Sequence, residues 1–123
     1  MNSKDQNGLP ALPLEENLKK ALTELMILFL LSQKDCYIGE LTALMHERSH
    51  GALSIVFPYG AIYRLMQSGY IFEVEKRIAP DGRRRQYFRI TENGIKYLDQ
   101  LMAIYTRFSQ GVADVLAEGG ERD

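Results

Sequence analysis

Two groups of residues in this chain have types and spacings that chemistry could use. The first is His46-Glu47-Arg48-Ser49-His50, a literal H-E-x-x-H. On a helix, histidines four apart share one face and can bind zinc while the glutamate acts as general base. A catalytic zinc takes three protein ligands and a water. The chain has 2 histidines in all, so a third ligand would have to be a carboxylate. The pentapeptide also runs into Gly51, a natural helix stop, and so reads as a solvated helix terminus. The expectation is no enzyme, no catalytic residue, and no metal or other cofactor. The second group is basic. Between Arg64 and Arg89 stand seven basic residues (Arg64, Lys76, Arg77, Arg83, Arg84, Arg85, Arg89) against three acidic ones (Glu73, Glu75, Asp81). That local +4 leaves −5 for the rest of a chain whose net charge is −1. Only clustered charge acts as a footprint for phosphate, so the mild overall balance is no objection to nucleic-acid binding.

The elements that must hold these arginines run from Pro58 to Arg89. Ile62, Leu65, Met66 and Gly69 fall at i, i+3, i+4 and i+7, one face of a helix. Pro58 suits the first helical position, where its missing N–H has no partner anyway, and Gly69 suits a left-handed C-cap. Tyr70, Phe72 and Val74 then alternate with Ile71, Glu73 and Glu75, the period of a strand. Pro80-Asp81-Gly82 reverses the chain, and Tyr87, Arg89 and Ile90 lie along the returning strand. A helix over 58–68 followed by a basic-tipped hairpin over 70–90 is the outline of a winged helix-turn-helix. With Ile62, Leu65 and Met66 inward, Tyr59, Gly60, Tyr63, Arg64 and Gln67 face outward. Gly60 would permit close approach to DNA, while Tyr63, Arg64 and Gln67 can donate to phosphates or base edges. Lys76, Arg77, Arg83, Arg84, Arg85 and Arg89 would hold the sugar–phosphate backbone or enter the minor groove, which sets position rather than sequence.

At 123 residues and 46% apolar content, the rest of the chain completes one domain with one ordinary core. Cys36 is the only cysteine, which excludes an intrachain disulfide and a Cys-rich metal site. The run Leu25 to Leu31 is too short to span a bilayer and too deep for a signal peptide, so the expected location is cytoplasmic, with no membrane. Residues 1–13, with Gly8, Pro10 and Pro13, read as a flexible arm. Leu14 to Ser32 reads as a helix with Leu18, Leu22, Leu25 and Phe29 on one face. Met26, Ile27, Leu28, Leu30 and Leu31 widen that stripe until the last two turns are apolar nearly all round. Such a helix must be buried on several sides, more than one small domain is expected to arrange alone. A second helix, Ile38 to Ser49, turns Leu41, Leu44 and Met45 inward, and Tyr37 just ahead of it joins the candidate DNA-contacting set.

From Thr91, a fitting N-cap, the last helix begins with Glu92 near its positive end. Leu98, Leu101, Tyr105, Phe108, Val112 and Val115 follow at spacings of 3, 4, 3, 4 and 3, a heptad seam. At 1.5 Å per residue the helix to Ala117 is about 40 Å long, more than a domain this small covers. The expected division is therefore a DNA-binding unit at 14–90, a dimerisation helix at 91–117 and a tail at 118–123. Leu18, Leu22, Leu25 and Phe29 of the first helix are expected to share the dimer interface with that seam. Met26 and Phe29 would then meet Tyr105 and Phe108, lining an apolar site for a small aromatic effector. Simple core filling is the alternative for each of these four.

Gly82-Arg83-Arg84-Arg85-Gln86-Tyr87-Phe88-Arg89-Ile90-Thr91-Glu92-Asn93-Gly94 carries the most specific likeness to a known family. With it go Cys36-Tyr37-Ile38-Gly39-Glu40-Leu41 and the set Tyr59, Ala61, Arg64, Leu65, Gly69 and Ile71. Over residues 18–117 the chain resembles the PadR family of bacterial transcriptional regulators. The resemblance implies a winged-helix dimer whose C-terminal helix is the dimerisation arm, usually a repressor released by a small molecule. The expected fold is mainly α with a small β-hairpin wing. The expected partners are a pseudo-palindromic double-stranded DNA operator, a second copy of the chain and a small aromatic effector. The competing reading is a winged-helix module that binds protein or senses a small molecule with little DNA function. Salt dependence separates the two, because phosphate contacts release counterions.

Overall fold

The computed structural model describes residues 12–55 and 58–119. Most of the expected N-terminal arm, residues 56–57 and the end of the tail lie outside the described residues. Helix α1 (Pro13–Gln33) opens with Pro13 at its first position and Glu15 and Glu16 in the first turn, where acidic charge meets the positive helix end. A two-residue strand β1 (Cys36–Tyr37) leads into α2 (Ile38–Arg48), then α3 (Tyr59–Gln67), the hairpin β2 (Ile71–Ile78) and β3 (Arg84–Ile90), and the long α4 (Glu92–Ala117). This is the mainly helical, winged arrangement the sequence implies.

Helix α1 is the spine. Ile27, Leu28, Leu30 and Leu31 are all buried, and Phe29, Ser32 and Gln33 form the one exposed face of its last two turns. The protomer thus supplies more of this burial than the sequence reading allows it, while Leu18 and Phe29 stay exposed. α4, β3, α3 and α2 all pack against it within the protomer. Leu41 and Met45 of α2, Ile62 and Leu65 of α3, Ile71, Phe88 and Leu98 complete the same core.

Local chemistry sets the boundaries of α3. Its end is a Schellman motif: Gly69 N–H donates to Met66 O at 3.0 Å and Tyr70 N–H to Leu65 O at 2.9 Å. Gly69 sits at φ 76°, a conformation that costs glycine nothing. Its start corrects the sequence reading, because Pro58 is the N-cap and not the first helical residue. Pro58 O accepts from Ile62 N–H at 3.0 Å, so the proline serves through its carbonyl.

The sheet has the order β1-β3-β2, all antiparallel. β1 is an addition to the expected hairpin, pairing Cys36 with Phe88 and Tyr37 with Tyr87. β2 carries an irregularity between Glu73 and Lys76 that gives it one residue more than its partner. Gln86 closes the gap by donating its side-chain amide to Val74 O. The inward residue at the start of β2 is Ile71, while Phe72 is exposed. Thr91 then joins everything: its hydroxyl accepts from Gly94 N–H at 2.9 Å and donates to Gly69 O at 2.7 Å, and its N–H donates to Tyr70 O. One residue thus caps α4 and clips it to the end of α3.

Candidate nucleic-acid interface

Burying Ala61, Ile62 and Leu65 leaves Tyr59, Gly60, Tyr63, Arg64 and Gln67 exposed along α3. A Cβ on Gly60 would come within 3.3 Å of the Arg64 guanidinium, so glycine leaves that side chain room. Arg64 is turned toward α1, where its Nε donates to Glu24 Oε1 at 2.8 Å. Arg64 faces water and Glu24 is half-buried, so this pair is a modest one that a phosphate could replace.

The wing divides its cations into two kinds. At the turn, Gly82 takes φ 82° and Asp81 Oδ1 accepts from Arg83 N–H at 3.0 Å, which sharpens the tip. Arg85 donates to Asp81 Oδ2 at 2.6 Å and lies 5.7 Å from the Tyr37 ring. Tyr37 itself is half-buried, edge-on to Tyr87 at 5.4 Å. Arg77 lies 4.9 Å over the Tyr87 ring and pairs with both Asp35 and Glu75 at 2.8 Å. Arg89 grips Asp35 with two bonds, Nε to Oδ1 at 3.0 Å and Nη2 to Oδ2 at 2.7 Å. These bonds, the Arg89 fork above all, hold the Asp35 carboxyl below its ordinary range. Among the described residues, the side chains of Lys76, Arg83 and Arg84 form no ion pair, and all three are exposed. Of the seven basic residues in the stretch, four are therefore neutralised locally and three present open charge. Glu24 and Asp35, the acids that decide this, were not candidates in the sequence. Their partners lie 40 and 54 residues away, beyond any local pattern.

α1, the end of α2 and α4 border an open apolar groove of about 540 Å³. Met26, Phe29 and Tyr105 line it together with Leu18, Leu22, Leu25, Leu44 and Met102. Phe108 does not: it stands 72% exposed farther along α4, beside Gly111, Val112, Val115 and Leu116. Within the protomer, three of the four expected effector residues thus share one groove and Phe108 lies apart from them. Leu98 is corrected too, since at 6% exposure it belongs to the protomer's own core and has no surface left for an interface. Leu101 is half-buried against that core. Tyr105, Phe108, Val112 and Val115 remain uncovered.

The H-E-x-x-H pentapeptide does not form a zinc face. α2 ends at Arg48, and His50 lies beyond it at φ 54° in the turn that Gly51 continues. The two histidines therefore do not share a helical face. Among the described residues no group of three or more His, Cys, Asp or Glu is placed to hold a metal ion. Purified protein is expected to carry no stoichiometric zinc after dialysis. One equivalent of retained zinc that disappears in His46→Ala would overturn this.

The chain matches the model of the transcriptional regulator PadR-like family over residues 27–100. Among solved structures it is similar to a transcriptional regulator from Clostridium thermocellum, with 26% identity, a TM-score of 0.71, and coverage of 80% of this chain and 93% of that one. A PadR-like transcriptional regulator from Bacillus cereus shares 23% identity at a TM-score of 0.69, over 81% of this chain and 96% of its own. A transcriptional regulator from Thermoplasma acidophilum shares 21% identity at 0.66, over 87% and 99%. The last two likenesses concern the fold alone. No curated protein sequence matches the chain. No described helix is long and apolar enough to cross a membrane.

Proposed function

The chain belongs to the PadR-like family of transcriptional regulators, and from that premise we propose that it is a cytoplasmic repressor binding a double-stranded DNA operator as a homodimer. Residues 14–90 form the DNA-binding unit and 91–117 the dimerisation helix. α3 enters the major groove with Tyr59, Tyr63 and Gln67, and the hairpin tip follows the backbone or minor groove. Two copies related by a dyad read half-sites about one turn of DNA, roughly 34–36 Å, apart. The carrying observation is the open charge of Lys76, Arg83 and Arg84 on a hairpin whose other arginines are paired. The groove lined by Met26, Phe29 and Tyr105 is where a small aromatic effector would act. Such a ligand must prefer the dimer geometry in which the two wings no longer fit the operator.

The test is a salt titration of duplex binding. Arg83→Ala/Arg84→Ala is expected to weaken all sequences about equally and to flatten the slope of log affinity against log salt by up to ~0.9 per lost phosphate contact. An unchanged slope and affinity would leave the wing off the DNA. A wild-type protein indifferent to salt would favour a protein-binding module instead.

A further inference from the structure

Ile71 and Phe88 seat the root of the wing in the core, and β1 adds a short edge to the sheet. β1 contributes only two paired residues, Cys36 with Phe88 and Tyr37 with Tyr87. A ladder that short, made to β3 alone, adds little to the direction in which the turn points. Just ahead of β1, in the link leaving α1, stands Asp35. Its carboxylate reaches across β3 to β2, taking both bonds of the Arg89 fork and one from Arg77 Nη2 at 2.8 Å. Its side chain is 16% exposed, against 39% for Asp81 in the pair at the wing tip. Shielded, bidentate guanidinium–carboxylate pairs are the directional kind. Arg77 is further braced by the Tyr87 ring beneath it and Glu75 beside it.

We propose that Asp35 is the positioning residue of the wing: through Arg77 and Arg89 it fixes the angle at which the hairpin leaves the helical body, and so where Lys76, Arg83 and Arg84 meet DNA. The inference rests on the DNA-binding reading above and revises it in one respect. Arg77 and Arg89 act as anchors and not as phosphate contacts. Electrostatics alone gives the opposite sign, which makes the point testable. A carboxylate close to a phosphate-binding surface repels DNA, so its removal should tighten binding, and would free two arginines as well. Positioning requires that its removal loosen binding.

The experiment measures affinity for a mixed-sequence duplex in wild type, Asp35→Asn, Arg83→Ala/Arg84→Ala and the combination. Asp35→Asn is expected to weaken binding on the order of tenfold, and the two tip substitutions are expected to cost far less in its background than in wild type. Arg89→Lys, which preserves charge but loses the fork, should behave like Asp35→Asn. Tighter binding by Asp35→Asn, or effects that simply add, would overturn the proposal. A second arm does not need DNA. Spin labels at Arg83→Cys and Glu47→Cys report the distance from wing tip to α2. Cys36 does not compete for label, being fully buried with its thiol pushed up to about 12. The distance distribution should broaden on Asp35→Asn, and an unchanged one overturns the inference. If wild type bound no duplex, the DNA reading would fall while this second arm still decided what Asp35 does.

Discussion

Gly94→Ala is expected to destabilise the fold by about 3 kcal/mol or more, the upper range for overpacking a filled site. Helix propensity argues the other way, since alanine is the better helix former by about 1 kcal/mol. Geometry decides between them. A Cβ on Gly94 would stand 2.1 Å from the Tyr70 carbonyl oxygen and 2.7 Å from Ile90 Cγ1. The first of these is backbone, and it is held in place because Tyr70 O also accepts from Thr91 N–H at 2.9 Å. The Ile90 side chain can turn aside but this carbonyl cannot, so the start of α4 would have to lift off Tyr70 and break the Thr91 cap. A melting temperature lower by about 10 °C or more should result. Gly111, on the same helix, has no atom within 4 Å of its added Cβ. Gly111→Ala should therefore follow propensity and leave the protomer as stable or slightly more so. If Gly94→Ala melted at or above wild type, the close seating of α4 on the wing root would be wrong.

The contrast between those two glycines shows what could be read from the chain and what could not. Features written in adjacent residues were legible: the left-handed stop at Gly69, the turn at Gly82 and the cap at Thr91 depend on chemistry within a few positions. Partners at long range were not. Gly94 looks like any glycine near a helix start until Tyr70 is folded against it. β1 is two residues long and exists only because Phe88 and Tyr87 arrive beside it. Asp35 carries no local signal that two arginines will converge on it. Periodicity failed in a different way for Leu98. The heptad spacing correctly marks one apolar face of α4, but spacing does not say what covers that face. Its first member is covered by the protomer's own core, whereas Phe108 is not covered at all. The same limit holds for α1, whose spacing marks its apolar faces but not that Ile27, Leu28, Leu30 and Leu31 are covered within the protomer while Leu18 and Phe29 are not. In the candidate interface, the number of basic residues was plain, but which of them carry open charge depended on Glu24, Asp35 and Asp81 in three dimensions.

Phe108→Asp is expected to turn the protein into a monomer while leaving the protomer folded. The reasoning begins from where α4 goes. From Met102 to Gly119 every residue is exposed, so the second half of the helix runs past the domain it starts from. Tyr105, Phe108, Val112 and Val115 are uncovered along it at the spacing of a helix–helix seam, and Gly111 beside them leaves room for a close approach. A second copy, using the same face by twofold symmetry, would cover both seams at once. An aspartate at position 108 then buries an unpaired carboxylate, at a cost of several kcal/mol. Symmetry repeats that cost in the other subunit, and each 1.4 kcal/mol is about tenfold in dissociation constant. Phe108 is the better probe than Leu101, because Leu101 also packs on the core and its replacement would confuse folding with association. Sedimentation at micromolar concentration should give a dimer for wild type and a monomer for Phe108→Asp, with retained helical content. Operator affinity should fall with dimerisation, since one wing and one α3 reach only a half-site. A monomeric wild type would remove the dimer from the proposal, and a Phe108→Asp protein that still dimerised would move the interface off this seam.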